Sequence, residues 1–545
     1  MPIELFFSNR IEQLAVDLAE RLYAGSEAAR SPFAPIRLVV PNRNLGKWLQ
    51  LHLARHLGVS MNIDYVYLDT VLWDLLAEMD ASAASRPLPA DQDIYALALL
   101  QVLDNLPPGE GVFDPIRSYL DGTDGAGAAA GNTTDDTRRW QLAARLAHLF
   151  LEYELNRPDW IPAWLADRFE GGPMAVCQGR LYRLTLDLCD RLAEKLARPV
   201  RSLPHYARDV LQGRGVGAQD GGLATSVSRP VVNIFGLSQI SSFHTTLIHR
   251  LLPRVAFRIF ALNPSEAFWE DVRTPREKRW EDGKQPRPNN ADALGPDAPL
   301  ENDATADADP FLSQDHPLLS LWGKPGRENI RRLCELGDYD FRAGFRSPDR
   351  PDTLLGRLQE SLRMADGEGL TGAGPQDTSI QVVGCPGRLR EVEAVYQRII
   401  SQLERDPRLQ LTDIAVLVPD MTAYKPVFDA VFQRSPRRLS YNLVDTLAET
   451  ESHYGRGVLS LLALMTGRFT RAEVMGVMIN PLFLTRWSVD MEMVAVWAGW
   501  VEALNNYHSF DSAEKAAAGG ATGPRYTWQQ GLRRLRLGRI METEG

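Results

Sequence analysis

The chain has 545 residues, of which 44% are hydrophobic and 24% charged, a balance typical of a globular protein with several domains. The formal net charge of −10 excludes a uniformly basic nucleic-acid coat protein but is compatible with a local basic channel. The four cysteines are scattered and form no C-x-x-C pair, which argues against a zinc ribbon. The sequence shows no signal peptide, and no apolar run is long enough for a membrane span, so we predict a cytoplasmic protein.

The first 57 residues alternate between apolar runs and helical stripes. Residues 3–8 and 38–40 are short apolar runs that predict buried strands, and Ile11–Leu22 carries apolar residues at helical spacing. A second helix is predicted from Leu45 onward. The turn between strand and helix is assigned to Pro41, Asn42 and Asn44. This order of strand, helix, strand and helix predicts an α/β fold with a parallel sheet.

The second strand-turn-helix resembles a phosphate-binding P-loop that has lost key residues. In the pattern G-x-x-x-x-G-K-[ST], Pro41 takes the first glycine position, Gly46 and Lys47 match, and Trp48 replaces the Ser/Thr. Proline offers no N–H to a phosphate, and tryptophan has no hydroxyl for Mg²⁺. The interpretation is a degenerate site without bound cofactor; the alternative is an ordinary turn with a chance Gly-Lys pair.

Later patterns extend the same architecture to residue 365. Helices are predicted at residues 70–79, 90–106, 138–155 and 177–196, with 65–69 as a loop. Strands are predicted at residues 231–235 and 255–262. Small or polar residues predict flexible segments near 121–137, 213–228 and 270–310. The first domain is therefore assigned to residues 1–365.

A glycine-rich segment at 366–378 predicts the boundary to a second α/β domain, residues 379–545. Strands are expected at residues 380–383 and 414–418, and helices at 391–403, 427–432, 458–465 and 473–479. Residues 511–524 are interpreted as a small-residue linker. The final stretch contains Arg533 among several arginines, which favours either a phosphate contact or a solvated helix face.

Catalytic chemistry finds little support in the sequence. Asp413, Asp420 and Glu391 flank predicted strands without forming the carboxylate cluster of a magnesium-dependent nuclease. No G-x-S-x-G elbow occurs, and His52 and His56 lack the glutamate of a zinc protease. We therefore expect neither catalytic nor metal-binding residues in this chain.

Basic and aromatic residues come together early in the sequence. The basic residues Arg43, Lys47 and Arg55 can follow phosphates, while the aromatic residues Trp48, Tyr65, Tyr67 and Trp73 can stack on bases, as in proteins that bind single strands. For Trp48 and Trp73, burial in the core of an amphipathic helix is an equally good interpretation. From this group, Arg43, Lys47, Tyr67 and Trp73 are the predicted nucleic-acid-binding residues.

Several short motifs occur in a characteristic order along the whole chain. They include Ser8-Asn9-Arg10, Trp48-Leu49-Gln50, Asn62-Ile63-Asp64, Trp73-Asp74, Arg157-Pro158-Asp159-Trp160, Gly236-Leu237-Ser238, Asn263-Pro264, Trp322-Gly323-Lys324 and Arg390-Glu391-Val392-Glu393. In this order and spacing the chain resembles the N-terminal half of the RecC family, the gamma subunits of exodeoxyribonuclease V (the RecBCD complex).

The resemblance implies a superfamily 1 helicase-like fold with degenerate ATPase motifs, built from parallel sheets with helical insertions. It implies a non-catalytic subunit in double-strand break repair that splits duplex DNA, channels the strands and scans for the hotspot Chi. Its partners would be RecB-like and RecD-like subunits in a heterotrimer, which use ATP and Mg²⁺, with double-stranded DNA ends and single-stranded DNA as ligands and no membrane.

Chi recognition in the family uses residues around the vestigial P-loop and before the R-P-D-W motif. Trp73 and Arg157 match positions of that kind. Pro41, Arg43 and Lys47 stand where polar Gln/Thr-type residues are usual, and His148 and Leu151 where acidic residues are usual. Strand guidance is therefore the firmer expectation, and a chain of about half the family's length is expected to lack the strand-splitting pin.

Two rival hypotheses belong to other classes. An active AddB-like helicase-nuclease would need an intact Gly-x4-Gly-Lys-Ser/Thr, which Pro41 and Trp48 oppose. A purely structural scaffold would make no contact with DNA.

Overall fold

The computed structural model describes residues 3–22, 35–80, 86–120, 133–169, 171–212, 230–270, 272, 316–337, 340–366, 374, 376–444, 452–517, 519 and 523–541. The chain divides into two compact units, residues 1–380 (unit 1) and 381–545 (unit 2). The segments 213–228 and 273–310, predicted to be flexible, lie outside the described residues.

The described residues of unit 1 form eight strands. These are β1 (Ile3–Ser8), β2 (Ile36–Val39), β3 (Ile63–Val66), β4 (Leu88–Pro89), β5 (Val200–Arg201), β6 (Val231–Phe235), β7 (Ala256–Leu262) and β8 (Asp340–Ala343). Six of them make one sheet in the order β3-β2-β6-β7-β1-β8, in which every neighbouring pair is parallel. β4 and β5 form a separate parallel pair. The predicted parallel α/β fold is confirmed.

The helices of unit 1 surround this sheet and extend into a helical region at residues 86–212. They are α1 (Ile11–Leu22), α2 (Arg43–Leu57), α3 (Leu68–Met79), α4 (Gln92–Asp104), α5 (Asp114–Leu120), α6 (Thr133–Asn156), α7 (Trp160–Leu165), α8 (Pro173–Leu196), α9 (Leu203–Leu211), α10 (Ser242–Leu251), α11 (Pro317–Trp322), α12 (Lys324–Cys334) and α13 (Leu354–Met364). A 3₁₀ turn spans Gly111–Phe113.

Successive side chains along each strand point to opposite faces of the sheet, so the apolar core is divided between the two faces. In β1, Leu5 and Phe7 point to the face covered by α3, α9, α10, α11 and α12, whereas Phe6 points to the face covered by α1 and α2. Both sets are buried because helices cover both faces, as parallel sheets require. The third core belongs to the helical region, where α4, α6 and α8 pack around Tyr95, Phe150 and Tyr182.

All regular secondary structure in the described residues of unit 2 is helical. Its helices are α14 (Arg388–Arg405), α15 (Met421–Arg434), α16 (His453–Thr466), α17 (Arg471–Met478), α18 (Pro481–Trp487), α19 (Met491–Ala503), α20 (Ser512–Ala517) and α21 (Trp528–Met541), with a 3₁₀ turn at Leu411–Asp413. α14 and α15 enclose a small core around Val392, Phe428 and Phe432. Within the described ranges, no helix of either unit is long and apolar enough to cross a membrane.

Some sequence predictions were wrong. Residues 380–383 and 414–418 form no strand, since no described segment shares a hydrogen-bond ladder with them, and Val382 and Leu417 are 96% and 90% exposed. The parallel sheet is therefore confirmed in unit 1, while the described residues of unit 2 contain no sheet. Residues 133–137 of a segment predicted to be flexible belong to α6, and 121–132 lie outside the described residues.

Three local assignments also need correction. Asn44 lies inside α2, because Asn42 caps the helix two residues earlier. Tyr65 lies in β3, not in a loop. Residues 512–517 of the predicted linker form α20, held by a hydrogen bond from Lys515 Nζ to the carbonyl of Arg525.

Candidate nucleic-acid interface

The turn between β2 and α2 is short, and Asn42 engages two N–H groups at the start of α2. The side-chain oxygen of Asn42 accepts a hydrogen bond from the N–H of Leu45 at 2.9 Å. The backbone carbonyl of Asn42 accepts a hydrogen bond from the N–H of Gly46 at 3.2 Å. A P-loop holds phosphates with free N–H groups of an extended loop. Here α2 already begins at Arg43, so no extended loop separates β2 from Gly46 and Lys47, and this turn does not have the form of a phosphate loop.

Two glycines lie where α2 packs against the sheet, and the second of them is required by its backbone conformation and its neighbour. A Cβ on Gly46 would lie 3.4 Å from the ring of Tyr65 in β3. Gly236, directly after β6, has φ +70° and a Cβ there would lie 2.8 Å from Cδ2 of Leu45. The start of α2 is therefore held firmly against the carboxyl ends of β3 and β6.

Three predicted site residues share this edge of the sheet. Arg43 begins α2 and Lys47 follows one turn later, so both exposed side chains lie on the same helix face. Tyr67 follows β3, the neighbour of β2, and its side chain is 47% exposed. The structure thus brings two cations and an exposed aromatic ring to neighbouring strand ends.

Trp73 occupies a different environment. It is 7% exposed within the core of α3, and its ring stacks on Tyr206 of α9 at a centroid distance of 4.9 Å. The guanidinium of Arg86 covers the ring at 5.6 Å, and Arg86 also pairs with Asp74 at 2.7 Å. The ring faces are therefore occupied by protein, and the residue links α3 to the helical region.

Arg157 lies at the end of α6 and is exposed. Its guanidinium lies 5.1 Å from the ring centroid of Trp160, which is 39% exposed and packs edge-on against Tyr153 at 5.2 Å. Sequence analysis named Trp160 only as part of the motif Arg157-Pro158-Asp159-Trp160 and did not include it in the predicted site. The signal that could have identified it is an aromatic residue three positions after an arginine at a helix end.

A chain of contacts connects Arg157 to the sheet edge. α6 packs against α10, and Pro158 lines a small cavity with Phe243 and Arg250 of α10. At the start of α10, His244 Nε2 lies 2.8 Å from Oδ1 of Asp69, two residues after Tyr67. The helical region and the edge carrying Arg43 are therefore parts of one continuous structure within unit 1.

A buried polar cluster, Tyr95, Glu154, Tyr182 and His205, lies behind Arg157. Both tyrosine hydroxyls donate to Oε1 of Glu154 at 2.8 Å, and His205 Nε2 lies 2.6 Å from the hydroxyl of Tyr182. Burial raises the pKa of Glu154, but hydrogen bonds and charge from His205, with hydrogen bonds from Ser202 and Tyr182, outweigh it and lower that pKa. The glutamate is held ionised in the core.

The same cluster raises the pKa of both tyrosines well above the ordinary value, through burial and the nearby Glu154 charge. Tyr95 and Tyr182 therefore remain neutral hydrogen-bond donors. Among the described residues, no three His, Cys, Asp or Glu side chains are grouped so that they could hold a metal ion. The geometry of this region serves hydrogen bonding and packing.

Comparison with known proteins gives the family. A family model described as RecC, N-terminal domain, matches residues 3–364, and one described as RecBCD enzyme subunit RecC fourth domain matches residues 451–545. The chain is 26% identical to RecBCD enzyme subunit RecC of Escherichia coli, over 99% of this chain and 48% of that protein. It is 23% identical to the Haemophilus influenzae protein of the same name, over 99% of this chain and 49% of that protein.

RecBCD enzyme subunit RecC of Mycolicibacterium smegmatis is 26% identical, with 100% of this chain and 46% of that protein covered. The chain thus spans about half the length of the curated relatives it matches. The first family match covers most of the chain, including the six-stranded sheet and the helical region. The chain therefore belongs to the RecC family and contains its N-terminal domain.

Proposed function

We propose that this chain is a DNA-handling part of a RecC-type subunit in a RecBCD helicase-nuclease. The single observation that carries the proposal is the grouping of Arg43, Lys47 and Tyr67 at neighbouring strand ends. Cations follow phosphates and exposed aromatic rings stack on bases, so this combination suits a DNA strand. The name that these relatives share, RecBCD enzyme subunit RecC, supports the same function.

The chain would work without a motor of its own. The β2–α2 turn has its Leu45 and Gly46 N–H groups engaged by Asn42, which leaves no loop to cradle a nucleotide at the position of the degenerate motif. ATP and Mg²⁺ would be used by RecB-like and RecD-like partners in a heterotrimer. The parallel sheet with helices on both faces is compatible with a superfamily 1 helicase-like ancestry.

The biological setting we propose is double-strand break repair by homologous recombination in the cytoplasm. The subunit would split the duplex at DNA ends and guide single strands, with Arg157 and its neighbour Trp160 as a second contact area. Scanning for Chi would add base recognition to this guidance. That step needs side chains that reach base edges, and phosphate contacts alone carry no sequence information.

The test is binding of the purified chain to a forked DNA, with Arg157→Ala as the first variant. We expect about fivefold to tenfold weaker binding, as for the loss of one charged contact. Arg55→Ala is the matched control, because Arg55 is an exposed arginine at the far end of α2. Equal binding by wild type and Arg157→Ala would remove this residue from the interface.

Two further outcomes separate the rival hypotheses. DNA-stimulated ATP hydrolysis by the purified chain would transfer it to the active helicase-nuclease class. Absence of any crosslink from DNA to unit 1 in the assembled complex would support the structural scaffold. We expect crosslinks and no hydrolysis.

A further inference from the structure

At several points in the sheet of unit 1, neighbouring strands are followed by helices on opposite faces, among them the pairs β2–β6 and β1–β7. β1 and β2 lead into α1 and α2 on one face, whereas β6 and β7 lead into α10 and α11 on the other. β2 lies beside β6, and β1 lies beside β7. In open parallel sheets, ligands bind in the crevice outside the carboxyl ends of the strands at such points.

The crevice between β2 and β6 is filled. Leu45 of α2 lies so close to Gly236 that a Cβ on this glycine would be 2.8 Å from it. On the other side of β2, Gly46 packs against Tyr65, whose ring would lie 3.4 Å from a Cβ on this glycine. This edge offers an outer surface, but it has no room for a small ligand between the strands.

The crevice between β1 and β7 is open. It leads into a cavity of about 800 Å³, a volume in the usual range of small-molecule sites. Asn9 and Arg10 line it after β1, and Leu262 and Pro264 line it around the end of β7. The remaining wall lies after β8 and is formed by residues 346–356, by Gln359 and Leu362 of α13, and by Ser379. Every side of the cavity belongs to unit 1.

Three arginines face this cavity: Arg10, Arg346 and Arg350. Arg10 forms an ion pair with Asp349 at 3.0 Å, and this pair neutralises the carboxylate of Asp349. The Nε–H of Arg346 donates a hydrogen bond to Oε1 of Gln13 at 2.8 Å, which positions the guanidinium of Arg346.

Asn9 strengthens this frame by exchanging two hydrogen bonds with the backbone of Arg346. Arg350 is exposed, and its side chain makes no hydrogen bond or ion pair with the described residues. Glu12 is the remaining carboxylate among the lining residues. With Asp349 paired to Arg10, the two other arginines leave the cavity with an excess of positive charge.

We propose that this cavity binds the phosphate chain of a free nucleotide, with Arg346 and Arg350 as its ligands. Guanidinium groups recognise phosphate oxygens through paired N–H donors, and that of Arg346 is already oriented by Gln13, while Asn9 holds the backbone of Arg346. The site lies away from the degenerate P-loop position, across two strands of the sheet. It departs from the expectation that this chain binds no cofactor, and it requires no hydrolysis.

The experiment is a calorimetric titration of the 545-residue chain with ADP, beside Arg350→Ala and Arg350→Lys. We expect Arg350→Ala to bind ADP about tenfold more weakly, the loss of one charge-assisted contact. Arg350→Lys keeps the charge but not the planar fork, so it should retain part of the affinity. Since the Arg350 side chain has no partner among the described residues, thermal unfolding of both variants should match wild type.

The matched control is Arg254→Ala. Arg254 is also exposed, but it precedes β7 and therefore lies at the amino edge of the sheet. Failure of wild type to bind ADP, or an equal loss in Arg254→Ala, would overturn the proposal. The proposal would also be overturned if the binding of an oligothymidylate depended on Arg350 while the binding of ADP did not. In that case the cavity would hold a DNA backbone. The Arg157→Ala test concerns another surface and stands independently.

Discussion

Glu154 and Tyr95 meet in the core of the helical region, where the tyrosine hydroxyl donates to the carboxylate at 2.8 Å. Tyr182 donates to the same oxygen. Glu154 is 3% exposed, and its second oxygen has no described partner. A buried ionised carboxylate thus joins α4, α6 and α8, directly behind the exposed Arg157.

Glu154→Ala should destabilise the protein by about 2–5 kcal/mol, because two buried hydroxyl groups lose their acceptor and each unpaired group costs about 1–3 kcal/mol. Urea unfolding at neutral pH measures the change. Glu152→Ala, exposed on the same helix, is the control and should stay within about 0.5 kcal/mol of wild type. A near-neutral Glu154→Ala would show that the cluster does not stabilise this region.

The same residue gives a pH prediction. Its pKa is lower in the folded protein than the ordinary 4.5, so its stabilising effect is complete above that value. The effect is lost as the pH falls from 4.5 through the lower folded value, because protonation then occurs in the folded state as well. The stability difference between wild type and Glu154→Gln should therefore shrink on acidification below pH 4.5. A difference that grows would contradict the lowered pKa.

Trp73 offers a way to separate packing from base stacking. Trp73→Ala should cost about 3–5 kcal/mol of stability, as expected when a buried tryptophan next to Tyr206 is truncated. Trp73→Phe keeps an aromatic face on Tyr206 and should keep DNA binding within about twofold of wild type if the role is packing. Thermal unfolding and binding to a forked DNA, measured on both variants, decide between the two roles. A folded Trp73→Phe that binds DNA poorly would favour direct contact.

Sequence analysis succeeded where the signal is local. The apolar run of Ile3–Ser8 and the stripe of Ile11–Leu22 each specify one element, and both are present with these bounds. Residues 414–418 are equally apolar, yet a strand also needs a neighbour that shares its backbone hydrogen bonds, and no described segment does. Local pattern alone contains no information about that neighbour.

In the candidate site, too, local features could be predicted from the sequence, whereas contacts between distant residues could not. Exposure of Arg43 and Lys47 follows from helical periodicity around buried Leu49 and Leu53. The stacking of Trp73 on Tyr206 joins residues far apart in sequence, so the choice between core and surface had to stay open until the fold was known. The cavity beside β1 depends on strand order, which no single motif encodes.

The thiols should differ sharply in reactivity. Cys189 is 1% exposed, and burial raises its pKa to about 11, so little thiolate exists near pH 8. Cys385 is partly exposed. Iodoacetamide at pH 8, followed by peptide mass spectrometry, should label Cys385 at least about tenfold faster than Cys189. Equal rates would mean that the helical region opens readily in solution.

Gly236→Ala tests the close contact that positions α2. The backbone has φ +70°, and the added Cβ would meet Leu45 at 2.8 Å, so the substitution combines strain with a clash. We expect a loss of about 1–3 kcal/mol in thermal or urea unfolding. Gly109→Ala is a matched control, since Gly109 has φ +83° but nothing within 4 Å of its Cβ position. The excess loss at Gly236 measures the contact with Leu45; equal losses would mean that the contact relaxes without cost.

If Arg43 and Lys47 contact DNA phosphates, replacing them should change the salt dependence of DNA binding. Each phosphate contact releases condensed counterions, so removing one cation lowers the slope of log affinity against log salt by about 0.7 for a single strand. Arg43→Ala and Lys47→Ala should each show this decrease with an oligothymidylate, and the double variant about twice as much. Arg55→Ala, on the same helix but three turns from the sheet edge, should keep the wild-type slope. If all three variants lower the slope equally, the contact follows the net charge of α2, and the sheet edge loses its special role.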